Sequence, residues 1–380
     1  MQMLFISNYF NHHQKPFSDA MYAKIGAGYA FIESSRISQM RKDLGYGMEN
    51  LPPYVVTSEM LRAEREKYAK LILDADVVII GSAPEELIRE RIRQGKLIFR
   101  YSERPLKKGL ELWKYPVRLV RWNLRSPFWK PIYMLCASAY TAGDYAKFGL
   151  FRNKCYKWGY FPETHRYDDL SELLERKEKN SLVWVARYID WKHPELAVEV
   201  ARRLKAEGYD FTLRMIGNGE LLDATRKLVA DAELDQEVRI LGAMKPEEVR
   251  RHMEQSQIHI FTSDKQEGWG AVLNESMNSG CVPMANRAIG SAPFLIRDGE
   301  NGFLYNNVDE LYEKVKFLLD NRQEREQMAA NAYRTIIEEW NAETAAEKFL
   351  KLAGAILNGE KRPELFENGV CSKADILRGI

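Results

Sequence analysis

The chain has 380 residues, a net charge of +2, 45% hydrophobic residues and 29% charged residues. That length exceeds one ordinary core and suits two domains, and the composition excludes a disordered or collagen-like chain. So balanced a charge gives no global reason for a nucleic-acid partner, and none is expected.

Cys136, Cys155, Cys281 and Cys371 are scattered and fit no zinc or C-x-x-C spacing, so reduced thiols in a cytoplasmic protein are expected. The first residues lack the basic and apolar regions of a signal peptide. No uncharged apolar run reaches the ~18 residues that span a bilayer. The reading is a protein that is soluble or peripheral on the cytoplasmic face of a membrane.

Residues 1–162 read as one α/β domain. Strands are expected at 4–7, 54–57, 77–81 and 96–101. Helical spacing occupies 18–28, with Ser18 as N-cap, then 58–74 and 84–93. Strands alternating with helices predict a parallel sheet covered on both faces. His12 and His13 follow the first strand, at the ligand edge of such a sheet. Asp74 and Asp76 form a D-x-D, but they precede their strand and read as structural.

The segment 104–130 differs. It carries eight Lys or Arg against one acid, Glu111, with Trp113, Tyr115, Trp122, Phe128 and Trp129 interleaved. A basic face with tryptophans suits an anionic membrane surface. Residues 163–180 are highly charged and read as a linker. A second α/β series fills 181–340, with strands at 182–186, 211–216, 238–241, 258–262 and 281–285. Helices are expected at 194–206, 220–230, 246–255, 308–319 and 321–339. A further helix is expected at 342–357, and the tail 358–380 has no pattern.

The second half holds the residues with chemistry. The run 262–275 (TSDKQEGWGAVLNE) places Glu267 and Glu275 on either side of a Gly-Trp-Gly turn between a strand and a helix. Free amides at a helix start attract anions, and carboxylates beside them suit hydroxyls, a combination matching a sugar nucleotide. Arg187 and Lys192 follow the first strand of this half, where two cations would neutralise a leaving diphosphate. Gly217 and Asn218 follow another strand, where glycine permits close backbone approach. No cluster has metal-ligand spacing, and neither a metal nor another cofactor is expected.

Taken in order, these pieces resemble the family 4 (GT4) retaining glycosyltransferases of the GT-B fold, of the bacterial polysaccharide and glycolipid type. The resemblance is strongest over 181–305. It rests on 185–187 (VAR) with Lys192, 215–220 (MIGNGE), 238–242 (VRILG), the Glu267 and Glu275 motif, 279–283 (SGCVP) and 298–304 (DGENGFL). It implies two Rossmann-like parallel-sheet domains facing a cleft, with the 341–357 helix crossing back to the N-terminal, acceptor-side domain.

The resemblance also implies roles. Arg187 and Lys192 would bind the donor diphosphate, Gly242, Ala243 and Met244 the base, and Glu275 the ribose. Glu267 would orient the donor sugar, with Gly268, Trp269, Gly270, Ala271 and Val272 supplying amides. The first half departs from the family. It has His12 and His13 where a glycine-rich loop is common, and Ser102, Glu103 and Arg104 where many members have a histidine. His12, His13 and Glu103 are its acceptor-side candidates. The expected activity is hexosyl transfer from a UDP-linked sugar to a saccharide or lipid-linked acceptor. A sugar-nucleotide epimerase of the same fold and a non-catalytic sugar-nucleotide-binding protein are the alternatives.

Overall fold

The computed structural model describes residues 1–38, 48 and 50–377. The chain forms two compact units. Among the described residues the first comprises Met1–Glu163 and 341–377, the second Thr164–Trp340.

The first unit is built on seven strands. They are β1 (Met3–Ser7), β2 (Tyr29–Glu33), β3 (Val55–Val56), β4 (Val77–Ile80), β5 (Ile98–Ser102), β6 (Ile132–Cys136) and β7 (Cys155–Lys157). Their order is β3-β2-β1-β4-β5-β6-β7, all parallel. Strands β1, β4 and β6 are buried along their whole length, as expected of a sheet covered on both faces. The chain runs outward from β1 to β3, then returns to the other side of β1 with β4. The switch point lies between β1 and β4, where a crevice opens beyond the carboxyl ends of the strands.

The second unit repeats the plan. Its strands are β8 (Ser181–Val185), β9 (Thr212–Ile216), β10 (Val238–Gly242), β11 (Ile258–Phe261), β12 (Val282–Asn286) and β13 (Phe303–Tyr305). The order is β10-β9-β8-β11-β12-β13, again parallel. Its switch point lies between β8 and β11.

Several expectations change. The first helix is Lys15–Ile25, with Pro16 in its opening turn. Ser18 is therefore no cap; it is buried inside the helix, its hydroxyl 2.7 Å from the Tyr29 hydroxyl. The 58–74 helix is two, Ser58–Ala63 and Arg65–Asp74, broken at Glu64. The final turn of 321–339 is a π-helix, Thr335–Glu339, after Arg322–Arg334.

The stretch 163–180, expected as a linker, belongs to the second unit from Thr164 on. It carries the helix Leu170–Glu175, capped by Asp169, whose carboxylate accepts from the Ser171 amide at 2.8 Å. The helix Ala342–Leu357 packs in the first unit, where Phe349 meets Phe99 (4.8 Å) and Trp158 (5.6 Å). The tail is anchored although its described residues form no helix or strand. Cys371 N donates to Lys157 O (2.9 Å) and Lys157 N to Ser372 O (2.8 Å), which covers the edge strand β7. Residues 378–380 of that tail lie outside the described residues. Among the described residues no helix is long and apolar enough to cross a membrane.

Two buried cations hold loops by their carbonyls. Arg91 donates to the carbonyls of Ile72, Ala75 and Leu97 at 2.8, 2.6 and 2.7 Å. Lys177 donates to Met253 O, Glu254 O, Ser256 O and Ser279 O, at 2.8–3.1 Å. Burial lowers the Lys177 pKa, so the ammonium is held by these carbonyls against its own desolvation. Lys177→Met is expected to remove a charged donor from four carbonyls and to destabilise the second unit by about 3 kcal/mol. Urea denaturation measures this, and an unchanged midpoint would contradict it.

Candidate functional site

The residues singled out in the second half converge on one edge of its sheet. Arg187 lies just beyond β8, Gly217 and Asn218 beyond β9, Gly242, Ala243 and Met244 at and beyond β10, and Glu267 beyond β11. All these strands run parallel, so these are the carboxyl ends.

Lys192 and Glu267 form a buried ion pair that spans the switch point from the β8 loop to the β11 loop. Both loops are fastened behind it. Thr262 Oγ1 accepts from Trp184 Nε1 (2.8 Å) and donates to Lys192 O (2.5 Å). Asp264 N donates to Trp191 O (3.0 Å). The Lys192 ammonium also lies 4.3 Å from the centre of the Trp191 ring. Arg187 is exposed at the rim, its guanidinium 5.9 Å from the centre of the same Trp191 ring. One cation is thus held deep and one is presented to solvent.

The glycine turn acts through its backbone. Gly270 has φ +84°, and a Cβ there would lie 2.6 Å from the Phe261 ring, so only glycine fits. The Trp269 indole is fully buried; it donates to Asn274 Oδ1 (2.9 Å) and lies 5.8 Å from Trp340. It is an anchor for the turn, and Gly268, Gly270, Ala271 and Val272 surround it. The helix that follows, Val272–Asn278, has only seven residues. The anion site expected at its start would draw on the amides of its first turn, with the cations Arg187 and Lys192 on the loop after β8. Glu275 on this helix is partly exposed, yet burial pushes its carboxyl above the usual range, opposed by Arg250.

Gly217 and Asn218 are used differently from expectation. A Cβ on Gly217 would fall 1.8 Å from Ala186 O, and the Gly217 amide donates to Gly242 O at 2.8 Å. Asn218 O accepts from Tyr188 N (3.0 Å), and its side chain accepts from Gly219 N (2.8 Å). The close approach is therefore between the loops after β8, β9 and β10, and it holds them in one surface.

The first unit has its own cavity, about 580 Å³, at the switch point between β1 and β4. His13 and Glu103 line it; His12 is exposed beside them, its ring 4.0 Å from that of His13. Burial, reinforced by His12, pushes His13 down to about 3, so it is neutral at physiological pH and adds no charge for a phosphate. Glu103 accepts from Tyr160 Oη (2.7 Å) and Lys107 Nζ (2.5 Å). Arg104 pairs with Asp144 (3.4 Å) and Arg100 with Glu85 (2.8 Å). The lining cations are thus tied to carboxylates. Asp76, of the D-x-D, accepts from Gln2 N (2.7 Å) at the opposite edge, as its structural reading requires.

His193 was not foreseen. It follows Lys192 in a left-handed conformation (φ +48°) and bridges Glu195 (2.8 Å) and Asp264 (3.7 Å). Its hydrogen bond to Glu195, with both carboxylates nearby, raises its pKa above 6.5. A raised histidine stabilises fully below the unfolded value and loses that contribution as pH rises through the folded one. His193→Gln should therefore melt below the wild type near about pH 6, with the gap closing by about pH 9. A gap that stayed constant across that range would contradict the assignment.

Comparison with known proteins agrees with this architecture. Residues 166–335 match the family model described as Glycosyl transferases group 1. A trehalose synthase from Pyrococcus horikoshii is 26% identical over 201 residues, 50% of this chain and 48% of that protein. A Staphylococcus aureus poly(ribitol-phosphate) alpha-N-acetylglucosaminyltransferase is 26% identical over 171 residues, 44% of this chain and 34% of that one. The chain thus aligns with about half the length, or less, of these curated relatives. The crystal structure of Anabaena Alr3699/HepE in complex with UDP superposes with a TM-score of 0.67 at 13% identity, over 93% of this chain and all of that one. The chain has the GT-B fold, and its second unit carries the stretch matched by the group 1 glycosyl transferases.

Proposed function

We propose that this protein is a retaining glycosyltransferase of family 4, moving a hexosyl group from a nucleotide sugar, UDP-linked, to a saccharide or lipid-linked acceptor in polysaccharide or glycolipid synthesis. The observation that carries this reading is the Lys192–Glu267 pair at the switch point of the second sheet, with Arg187 at the rim. The UDP-bound structural neighbour and the relative named for alpha-N-acetylglucosaminyl transfer support the donor class and the stereochemistry.

In this reading the donor diphosphate enters between the β8 and β11 loops and meets Arg187 and the Lys192 ammonium. Glu267 gives up part of its hold on Lys192 and turns to the hydroxyls of the sugar. Glu275 accepts from the ribose hydroxyls, and the loop at Gly242, Ala243 and Met244 lies against the base. The bond between the anomeric carbon and the phosphate oxygen breaks with its electron pair on the diphosphate. The acceptor oxygen bonds the same carbon from the same face, and its proton passes to the departing phosphate. Fixed cations at the point where negative charge develops lower that barrier most, because they need no reorganisation during reaction. The proposal requires no cofactor or metal.

The cavity of the first unit is the proposed acceptor pocket. Its histidine is neutral and its cations are already paired, so it offers hydrogen bonds in place of net charge, which suits sugar hydroxyls. The proposed compartment is the cytoplasm, where the four cysteines, all buried and free, would stay reduced.

Arg187 is exposed, so its removal leaves the fold intact. Arg187→Ala is expected to lower kcat roughly a hundredfold, with little change in melting temperature. Turnover of UDP-sugars is followed by NMR, with the anomeric configuration of donor and product compared. Full activity in the variant would refute the diphosphate role. Conversion of the donor sugar without an acceptor would show an epimerase, and donor binding without turnover a binding protein.

A further inference from the structure

Among the described residues, one helix of the first unit presents an uncovered outer face. The helix Tyr115–Arg125 packs inward through Tyr115, Leu119 and Trp122, at i, i+4 and i+7. Tyr115 stacks on Phe148 (4.9 Å), and Trp122 meets Phe148 (4.6 Å) and Tyr145 (5.2 Å). Asn123 Nδ2 donates to Phe148 O (3.2 Å), and Tyr115 Oη to Lys147 O (2.9 Å). These contacts fix which face points outward.

That outward face is apolar. Val117, Val120 and Leu124 are 68%, 61% and 73% exposed. At 100° per residue they lie roughly opposite the packed stripe. Leu112 and Trp113 precede the helix and Phe128 and Trp129 follow it, each about as exposed. Among the described residues, every large hydrophobic side chain more than 60% exposed falls within 112–129. Single exposed hydrophobics are ordinary, but such a concentration marks a contact surface.

The charges alongside say what covers it. Lys114, Arg118, Arg121 and Arg125 form a second stripe, roughly 100° round the helix from the apolar one. Glu111, the one carboxylate in 104–130, is shared between Lys114 and Arg118, each at 2.6 Å. A second copy of this surface would bring like charges together. An anionic lipid surface satisfies both stripes, with tryptophan placed where interfaces favour it.

We propose that this strip seats the first unit on an anionic lipid bilayer, with Val117, Val120, Leu124 and the flanking tryptophans entering the acyl boundary and the cationic stripe meeting headgroup phosphates. The inference does not rest on the donor reading, since lipid binding needs no nucleotide.

Flotation of the full chain, without nucleotide, on vesicles of phosphatidylcholine alone and with about one third phosphatidylglycerol tests it. The wild type should float with the anionic vesicles and lose binding as salt rises. The triple variant Val117→Asn, Val120→Asn, Leu124→Asn and the triple variant Lys114→Gln, Arg118→Gln, Arg121→Gln should each bind at least ~10-fold more weakly, with unchanged melting temperature. An apolar variant that floats as well as the wild type overturns the proposal, as does a wild type that stays in solution with anionic vesicles. Light scattering that shows a wild-type dimer dissociated by the apolar variant also overturns it, in favour of a second copy.

Discussion

The pairing of Lys192 with Glu267 sets the conditions for everything around it. Two charges removed from water are tolerated only when each is held against the other and fixed from behind. Here the fixing comes from Thr262, which joins Trp184 in the strand β8 to the backbone of Lys192. It comes also from Asp264, whose amide binds Trp191. The pair therefore depends on the register of β8 against β11, the place where the strand order of a doubly wound sheet opens a crevice. An ammonium already desolvated and oriented needs little reorganisation to meet a diphosphate, and the carboxylate it leaves stands ready for hydroxyls.

The two units use charge differently. In the second, Lys192 is matched by Glu267 and Arg187 stands exposed at the rim, so one cation faces solvent just past β8. In the first, Arg100, Arg104 and Lys107 around the cavity are each matched by a carboxylate, and His13 is kept neutral by burial. This contrast fits the proposed roles, an anionic donor for the second unit and an uncharged polar acceptor for the first. The same first unit turns an apolar and cationic helix face away from its core, where the single carboxylate Glu111 is shared by Lys114 and Arg118.

The second half was legible because its signals are local. Helices 194–206 and 246–255 begin with proline, and the strands between them are short apolar runs, so periodicity locates them. Glu267, Lys192 and Arg187 stand out in the sequence because they follow apolar strand runs, and the structure brings Lys192 and Glu267 together in one ion pair. What stayed hidden depends on tertiary contact. Gly217 reads as a ligand-facing glycine, yet only the position of Ala186 O shows that it packs loop to loop. His193 has a near partner in Glu195, but its bridge to Asp264, distant in sequence, shows only in the structure. Lys177 sits in a charged stretch that reads as solvated, and only the converging carbonyls from Met253 to Ser279 explain its burial. Strands β2, β6, β7 and β13 are not among the expected ones, because runs of three to five residues carry no clear period.

A crystal structure of the chain with UDP tests the central claim most directly. The account predicts the diphosphate between the β8 and β11 loops, within hydrogen-bonding distance of both Arg187 and the Lys192 ammonium, with the ribose at Glu275. Diphosphate bound in the cavity of the first unit, or in the second unit with Lys192 still wholly engaged by Glu267, would contradict it.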